Sequence, residues 1–398
     1  VQKSLLELLA FAINGNELTM PVLSTGEWHS LFKEAKDHGV HLLITYSLKK
    51  KSLVFGDENL TKAYNDLLYI TMLYHASSIS IIDKFLDKIE QKGIEIMVLK
   101  GYYFQSLYPY PALRIMGDVD FFVKHEDLNQ IDEILRELCY TKYKESDSDT
   151  HHIYFHPNYI MIEIHFAILN KFFDDEQKAF EATVWNERVI KNIKGRLCKV
   201  PSEVNHAIYC CLHMMSHLRS SGFGLRHLCD LIFIINRDLS FNWNEFLAKA
   251  RMLRVFNFVS SILWICHTYL KFEIPEIYLQ SIKPSNLSKV HVLMEKILRS
   301  GEYGLKDKAY VMNKTLAEYQ LNKKFNKVNS PLSLIFPSKH NLSEAYSYAK
   351  DNLLLLPVAW IHRIILYLIR TDSKLIEKIP NKVAINQHKD LIKWFSQG

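Results

Sequence analysis

The sequence predicts an α+β protein: a small mixed-sheet core flanked by N-terminal and C-terminal helical regions. Three observations predict it. Apolar residues recur at helical spacing up to about residue 90, then fall into short strand-length runs punctuated by Gly and Pro, and the helical period returns from Pro201 onward. The corresponding organisation is an N-terminal helical region over 1–92 and an α+β core over 93–200. A helical domain completing a cleft follows over 201–321, then a linker and C-terminal helical segment over 322–398.

In the first region Leu5, Leu6, Leu8, Leu9 and Phe11 share a helical face, as do Trp28, Leu31, Phe32 and Ala35 after the turn at Thr25-Gly26. A long helix from about Asn59 to Gln91 ends at Lys92-Gly93, where the glycine suits a left-handed cap. Ile94 to Leu99 reads as a strand and Gly101 to Leu107 as a short helix. Tyr108-Pro109-Tyr110-Pro111 breaks the chain, and Asp118 to Val123 is a second strand. Glu126 to Leu138 is amphipathic, and Glu145 to Thr150 is a polar loop. His152 to His156 and Tyr159 to Phe166 read as strands joined by a Pro157-Asn158 turn. Ser202 is an N-cap for a helix through Leu218. Further helices are expected over Leu225 to Ile235, Asn244 to Tyr269 and Leu287 to Leu298, with a polar linker over 322–343.

With 398 residues and 48% hydrophobic content, the chain can build real cores. Its 49 basic and 43 acidic residues leave a formal charge of +6, spread thinly rather than in a stripe. That argues against a long nucleic acid as partner and fits anionic small ligands. The six cysteines form no C-x-x-C pair, which predicts reduced core thiols in a cytoplasmic protein, and no signal peptide is read at the start. Leu353 to Ile369 is interrupted by Pro357, His362 and Arg363. It is expected to be a buried helix rather than a membrane span.

The chemistry concentrates in Gly117-Asp118-Val119-Asp120. On a strand, residues i and i+2 point to one side, so Asp118 and Asp120 project together while Val119, Phe121 and Val123 face a core. Adjacent carboxylates resist ionising together unless a cation sits between them. A divalent metal site follows, and carboxylate oxygens suit Mg²⁺ or Mn²⁺, pointing to chemistry at a phosphate. In Tyr159–Phe166 the same alternation puts Glu163 and His165 side by side, and Glu163 can complete an Asp/Asp/Glu set, the alternative being a solvated edge glutamate. Three such acids can hold two ions that activate a hydroxyl and neutralise leaving pyrophosphate. The Leu99-Lys100-Gly101 turn, feeding a helix, offers backbone N–H groups and close approach to a triphosphate, with Lys100 and Arg114 adding charge. The plain alternatives are a strand-to-helix turn and surface ion pairs. His213 and His217 lie one helical turn apart without the glutamate of a zinc-protease motif, so they are expected to face the cleft or the core. Arg226 and Asp230 form either an i,i+4 ion pair or part of an acceptor site.

The order LKG…YP…R…D-x-D…E-x-H resembles the uncharacterised bacterial nucleotidyltransferases of the DNA polymerase beta-like superfamily. Trp28 with His38-Gly39-Val40 and the Leu225-Arg226-His227-Leu228-Cys229-Asp230-Leu231 segment extend the likeness over roughly residues 1 to 270. The resemblance implies a minimal nucleotidyltransferase core, Asp118, Asp120 and Glu163 as metal ligands, and Gly101 at the triphosphate of an NTP. It departs from the wider superfamily in having Lys100-Gly101-Tyr102 where Gly-Ser or Gly-Gly is usual. Two other readings stand beside it: a D-x-D sugar-nucleotide glycosyltransferase, and a nucleotidyltransferase-like module that binds or regulates without catalysis.

Overall fold

A computed structural model describes residues 1–15, 17–143, 150–170, 172–237, 240–301, 346, 348–351, 355–369 and 382–397. One compact unit comprises Val1–Lys306 with Trp394–Gly398, and a second comprises Asp307–Lys393. The pattern changes read at 92/93 and 200/201 lie within the first unit. The linker read over 322–343 and most of the loop over Glu145 to Thr150 lie outside the described residues.

The chain opens with four helices, α1 (Gln2–Asn14), α2 (Thr25–Asp37), α3 (His41–Lys50) and α4 (Glu58–Gln91). Asp57 caps α4 by accepting from the Leu60 amide, and Gly93, at φ 68°, turns the chain out of it. Next come β1 (Ile96–Val98), α5 (Lys100–Gln105), a 3-10 turn at Pro111–Leu113, β2 (Asp118–Val123), α6 (Leu128–Glu137) and β3 (Thr141–Lys142). The core is completed by β4 (His151–Phe155), β5 (Met161–His165), α7 (Asp175–Lys178), α8 (Phe180–Asn186), β6 (Val189–Ile193) and β7 (Arg196–Val200). Helices α9 (Glu203–Arg219), α10 (Leu225–Asn236), α11 (Trp243–Met252), α12 (Phe256–Leu270), α13 (Glu276–Leu279) and α14 (Leu287–Ser300) follow in the first unit.

The main sheet is mixed, ordered β1-β2-β5-β4-β3; β2 and β5 run parallel and every other pair is antiparallel. Val119, Phe121 and Val123 of β2 are buried on one face, where Phe121 meets Phe85 of α4 with ring centroids 5.2 Å apart. The opposite face carries Asp118 and Asp120 and looks toward α9. The period-2 pattern thus divides apolar from acidic as the sequence requires.

Two local devices hold α5 and α10 against this core. Gly101 is packed on β2 so closely that a Cβ there would stand 2.9 Å from the Asp118 carbonyl oxygen and 3.2 Å from Met116 Sδ. The amides that open α10 are received by His38: Leu225 N–H donates to its Nδ1 and Arg226 N–H to its carbonyl oxygen, both at 3.3 Å. The His38-Gly39-Val40 turn therefore caps a helix nearly two hundred residues later in sequence.

The structure corrects several sequence expectations. The helix expected over Asn244 to Tyr269 is two, α11 and α12, broken at Leu253–Val255 with Arg254 at φ 55°. No Gly or Pro marks the break; the freed Leu253 carbonyl accepts instead from Gln177 Nε2 at 2.6 Å. The β6–β7 hairpin was not anticipated, although its turn at Lys194-Gly195 is supported by Asn192 Oδ1 accepting from the Gly195 amide. Cys139 is exposed, unlike the other five cysteines. In the second unit the described helices are α15 (Tyr348–Asp351), α16 (Leu356–Ile369) and α17 (Lys382–Phe395), the last ending in the first unit. Of the apolar run expected to be a buried helix, Val358 and Ile361 are exposed, while Ala359 is buried in a small cluster with Ala349. Among the described residues no helix is long and apolar enough to cross a membrane.

Gly101→Ala is expected to lower stability by about 1–3 kcal/mol through overpacking against β2, seen as a lower denaturation midpoint. A second expectation concerns pH. His206 is fully buried, stacked on Tyr103 at 5.0 Å, with neither ring nitrogen hydrogen-bonded. Burial, then the Lys100 charge, pushes it down to about 3. Its folded value lies below its unfolded one, so its contribution is complete above about pH 6.5 and is lost as pH falls toward 3. His206→Phe is expected to remove up to about 1.4 kcal/mol per pH unit from the acid-side loss of stability, measured by urea unfolding between pH 7 and 4.5.

Candidate active site

The parallel register of β2 and β5 sets Asp120 opposite Glu163 and Asp118 opposite Met161. Side chains of opposed residues on one face stand within contact distance, whereas a two-residue step along a strand moves roughly 6.6 Å. The compact group is accordingly Asp120, Glu163 and His165, whose ligand atoms all lie within 4.8 Å of one another. Asp118 is outside that trio but lines the same cavity, of about 310 Å³.

Lys100 enters this cavity from the first turn of α5. Sequence reasoning gave it to a phosphate, but here its Nζ donates to Asp120 Oδ1 at 2.9 Å and lies 3.2 Å from His213 Nε2. His165 Nε2 reaches the same Asp120 oxygen at 3.0 Å and Glu163 Oε2 at 3.4 Å. Both bonds to Asp120 are made by Oδ1; Oδ2 takes neither.

Electrostatics follow from these contacts. Burial alone would raise Asp120, but Lys100 and His165 hold it far below the usual carboxylate range. Burial likewise opposes the charged imidazole of His165, yet its bonds to Asp120 and Glu163 lift it to about 8. Glu163 is lowered: burial works against that, and the His165 bond outweighs it. Asp118 has no such partner. Burial first, then the charges of Asp120 and Glu163, pushes it up to about 7. Asp120 and Glu163 are therefore balanced by Lys100 and His165, and the third acid, Asp118, is the group that titrates near neutrality. A divalent cation beside these oxygens would draw Asp118 down with it.

Arg114, read from sequence toward the nucleotide, and Asp230, read as the i,i+4 partner of Arg226 or part of an acceptor site, are joined to each other. Arg114 Nε and Nη2 donate to Asp230 Oδ1 and Oδ2 at 2.8 and 2.9 Å, both residues being buried. Tyr108 donates to the same carboxylate at 2.8 Å, while Arg226 Nη1 is 3.8 Å from it. This bidentate pair fastens the loop before β2 to α10. Arg114, Arg226 and Asp230 still line the cavity, so their ties to it are as walls. Gly101 packs toward β2, as described above.

His213 and His217 face the cavity from α9, as expected, with Nε2 atoms 2.8 Å apart. Two further wall residues escaped sequence reasoning, His227 of α10 and Tyr209 of α9; His151 of β4, from the His151-His152 pair that the sequence sets close before the Glu163 strand and within reach of the same mouth, also lines the cavity, its ring 4.9 Å from that of His165. For Tyr209, buried at helical spacing, the sequence carried no signal.

Removing one partner of the buried pair is expected to be costly. Asp230→Ala should destabilise by about 3–5 kcal/mol because Arg114 is left buried and uncompensated. Arg114→Met combined with Asp230→Leu should cost less than Asp230→Leu alone, measured by urea unfolding.

No protein of curated function matches the chain in sequence. Among solved structures, the antibiotic-resistance factor ANT(2'')-Ia is 10% identical, with 48% of this chain and 97% of that chain covered, at a TM-score of 0.34. The lincosamide antibiotic adenylyltransferase LnuA, solved with lincomycin bound, is 13% identical, with 39% and 94% covered, at 0.29. An antigenic nucleotidyltransferase-like protein from Paracoccidioides brasiliensis is 16% identical, with 49% and 93% covered, at 0.33. The family model for uncharacterised nucleotidyltransferases matches residues 24–271, a span that holds every cavity residue named above, and the chain belongs to that family.

Proposed function

We propose that the protein transfers a nucleoside monophosphate from an NTP to an acceptor hydroxyl or phosphate, releasing pyrophosphate, with Asp118, Asp120 and Glu163 as the catalytic metal ligands. The observation that carries this reading is the register setting Asp120 beside Glu163 within one cavity that also holds Asp118. The donor set fits Mg²⁺ or Mn²⁺: hard carboxylate oxygens, with Asp120 Oδ2 outside the bonds to Lys100 and His165, and an Asp118 pushed up by burial and then by the neighbouring Asp120 and Glu163 charges. When bound, such an ion supplies charge neutralisation at the α-phosphate and lowers the pKa of the attacking acceptor.

The chain's own residues supply the rest. Asp120 and Glu163 orient the ion, and His165, charged at neutral pH, fixes both carboxylates. Lys100 sits on a six-residue helix at the cavity wall, with a side chain long enough to exchange Asp120 for a phosphate oxygen. That exchange reconciles its ion pair in this structure with the nucleotide role read from sequence. Arg114 acts on the site through Asp230, by holding the loop before β2. Four helices precede β1, in place of the alternating strands and helices that a D-x-D glycosyltransferase places before its motif, so that alternative is set aside.

The binding-module alternative draws on one observation, the Lys100 ammonium already neutralising Asp120. Pyrophosphate release separates the two. With each of the four NTPs and Mg²⁺, alone and with panels of hydroxyl acceptors, wild-type protein is expected to release pyrophosphate in an EDTA-sensitive manner. Glu163→Gln and Asp118→Asn should each reduce that rate by about 100-fold or more. Unchanged turnover in both variants would remove these acids from the reaction, and nucleotide binding with no release under any condition would favour the module.

A further inference from the structure

Beyond the acids, three imidazoles meet on the wall formed by α9 and α10. One ring nitrogen from each of His213, His217 and His227 lies within 4.8 Å of the other two. His213 and His217 are a turn apart on α9, with rings nearly perpendicular at 4.2 Å between centroids. His227 comes from the first turn of α10, its centroid 6.2 and 5.6 Å from theirs. The approach is held from outside. His38 fixes the start of α10, and His217 Nδ1 bonds Ser221 Oγ at 2.9 Å, which turns Nε2 toward His213.

Packing alone does not require this arrangement. His206, two turns earlier on α9, shows the packed alternative, a buried ring stacked on Tyr103 with neither nitrogen hydrogen-bonded. In the triad the nitrogens face one another, and all three residues line the cavity. A hydrogen bond joins the α9 pair, whereas His227 Nδ1 is buried with no hydrogen-bond partner. Such an array suits a shared cation bound through nitrogen lone pairs.

We propose that His213, His217 and His227 form a second metal site, selective for Zn²⁺ or a similar transition cation, with a fourth coordination position open to the cavity. Donor chemistry separates the two sites: imidazole nitrogen prefers Zn²⁺, Ni²⁺ or Cu²⁺, while the carboxylates opposite prefer Mg²⁺ or Mn²⁺. Three protein nitrogens leave room for a water or for an oxygen of the molecule occupying the cavity. Lys100 stands between the clusters, and a cation at the triad displaces it from His213 while Asp120 retains it. That nearby positive charge weakens the site relative to an isolated three-histidine cage.

Metal binding by the full chain tests this without reference to turnover. Chelator-stripped protein is titrated with Co²⁺, followed by visible absorption, and with Zn²⁺ in competition with a chromogenic chelator. The wild-type protein should take up one equivalent of Zn²⁺ and show a Co²⁺ band of low coordination number that Zn²⁺ abolishes. His217→Gln and His227→Gln should each weaken Zn²⁺ binding by about 100-fold. Glu163→Gln should change it less than about threefold. The two histidines lie on different helices and circular dichroism checks each variant, so one misfolded protein leaves the other informative. Absence of Zn²⁺ uptake by the wild type, or wild-type affinity in a folded histidine variant, overturns the site. So does loss in Glu163→Gln with retention in the histidine variants, which would assign the cation to the carboxylates. None of these results bears on pyrophosphate release.

Discussion

The structure depends on one costly arrangement: Asp118, Asp120 and Glu163 gathered on a largely water-excluded face of a small sheet. Uncompensated, such charges would oppose folding by several kcal/mol. The compensation is local and specific. Lys100 and His165 converge on Asp120, and His165 also serves Glu163. Much of the surrounding architecture keeps those groups in place. Gly101 lets α5 lie close enough on β2 to deliver Lys100, Arg114 and Asp230 tie the intervening loop to α10, and His38 ties α10 to the N-terminal helices. The N-terminal helical region is thereby part of the site's support.

How far the site was legible depends on the range of the interaction concerned. Which side chains share a face is a period-2 property of one strand, so Asp118 with Asp120, and Glu163 with His165, were readable. That β2 pairs with β5 is non-local, but two short apolar strands carrying acids on matching faces made it inferable. Which acid opposes which depends on register. The structure gives the tight trio as Asp120, Glu163 and His165, with His165 replacing Asp118 in it. Charged-residue partners were the least legible. Arg114 and Asp230 are 116 residues apart and each has a plausible local role, so nothing in the chain pairs them.

Secondary structure shows the same division. Helix and strand assignments with caps or periodicity behind them held: Ser202 opens α9, Lys92-Gly93 ends α4, and the Pro157-Asn158 turn joins β4 to β5. The break between α11 and α12 was hidden because a distant glutamine, not a local Gly or Pro, stabilises it. His227 was hidden too. On its own helix it reads as one imidazole among apolar residues, and only the packing of α10 on α9 brings it to His213 and His217.

The central claim, that these acids hold a cation against nucleotide phosphates, is tested most directly by a crystal structure of the protein with Mg²⁺ and a non-hydrolysable NTP. The account requires a cation roughly 2.1 Å from oxygens of Asp120 and Glu163 and from a phosphate oxygen. It also requires the Lys100 ammonium to have left Asp120 for the triphosphate. A nucleotide bound away from this cavity, or bound within it while the Lys100–Asp120 pair stays intact and no cation contacts the acids, would contradict it.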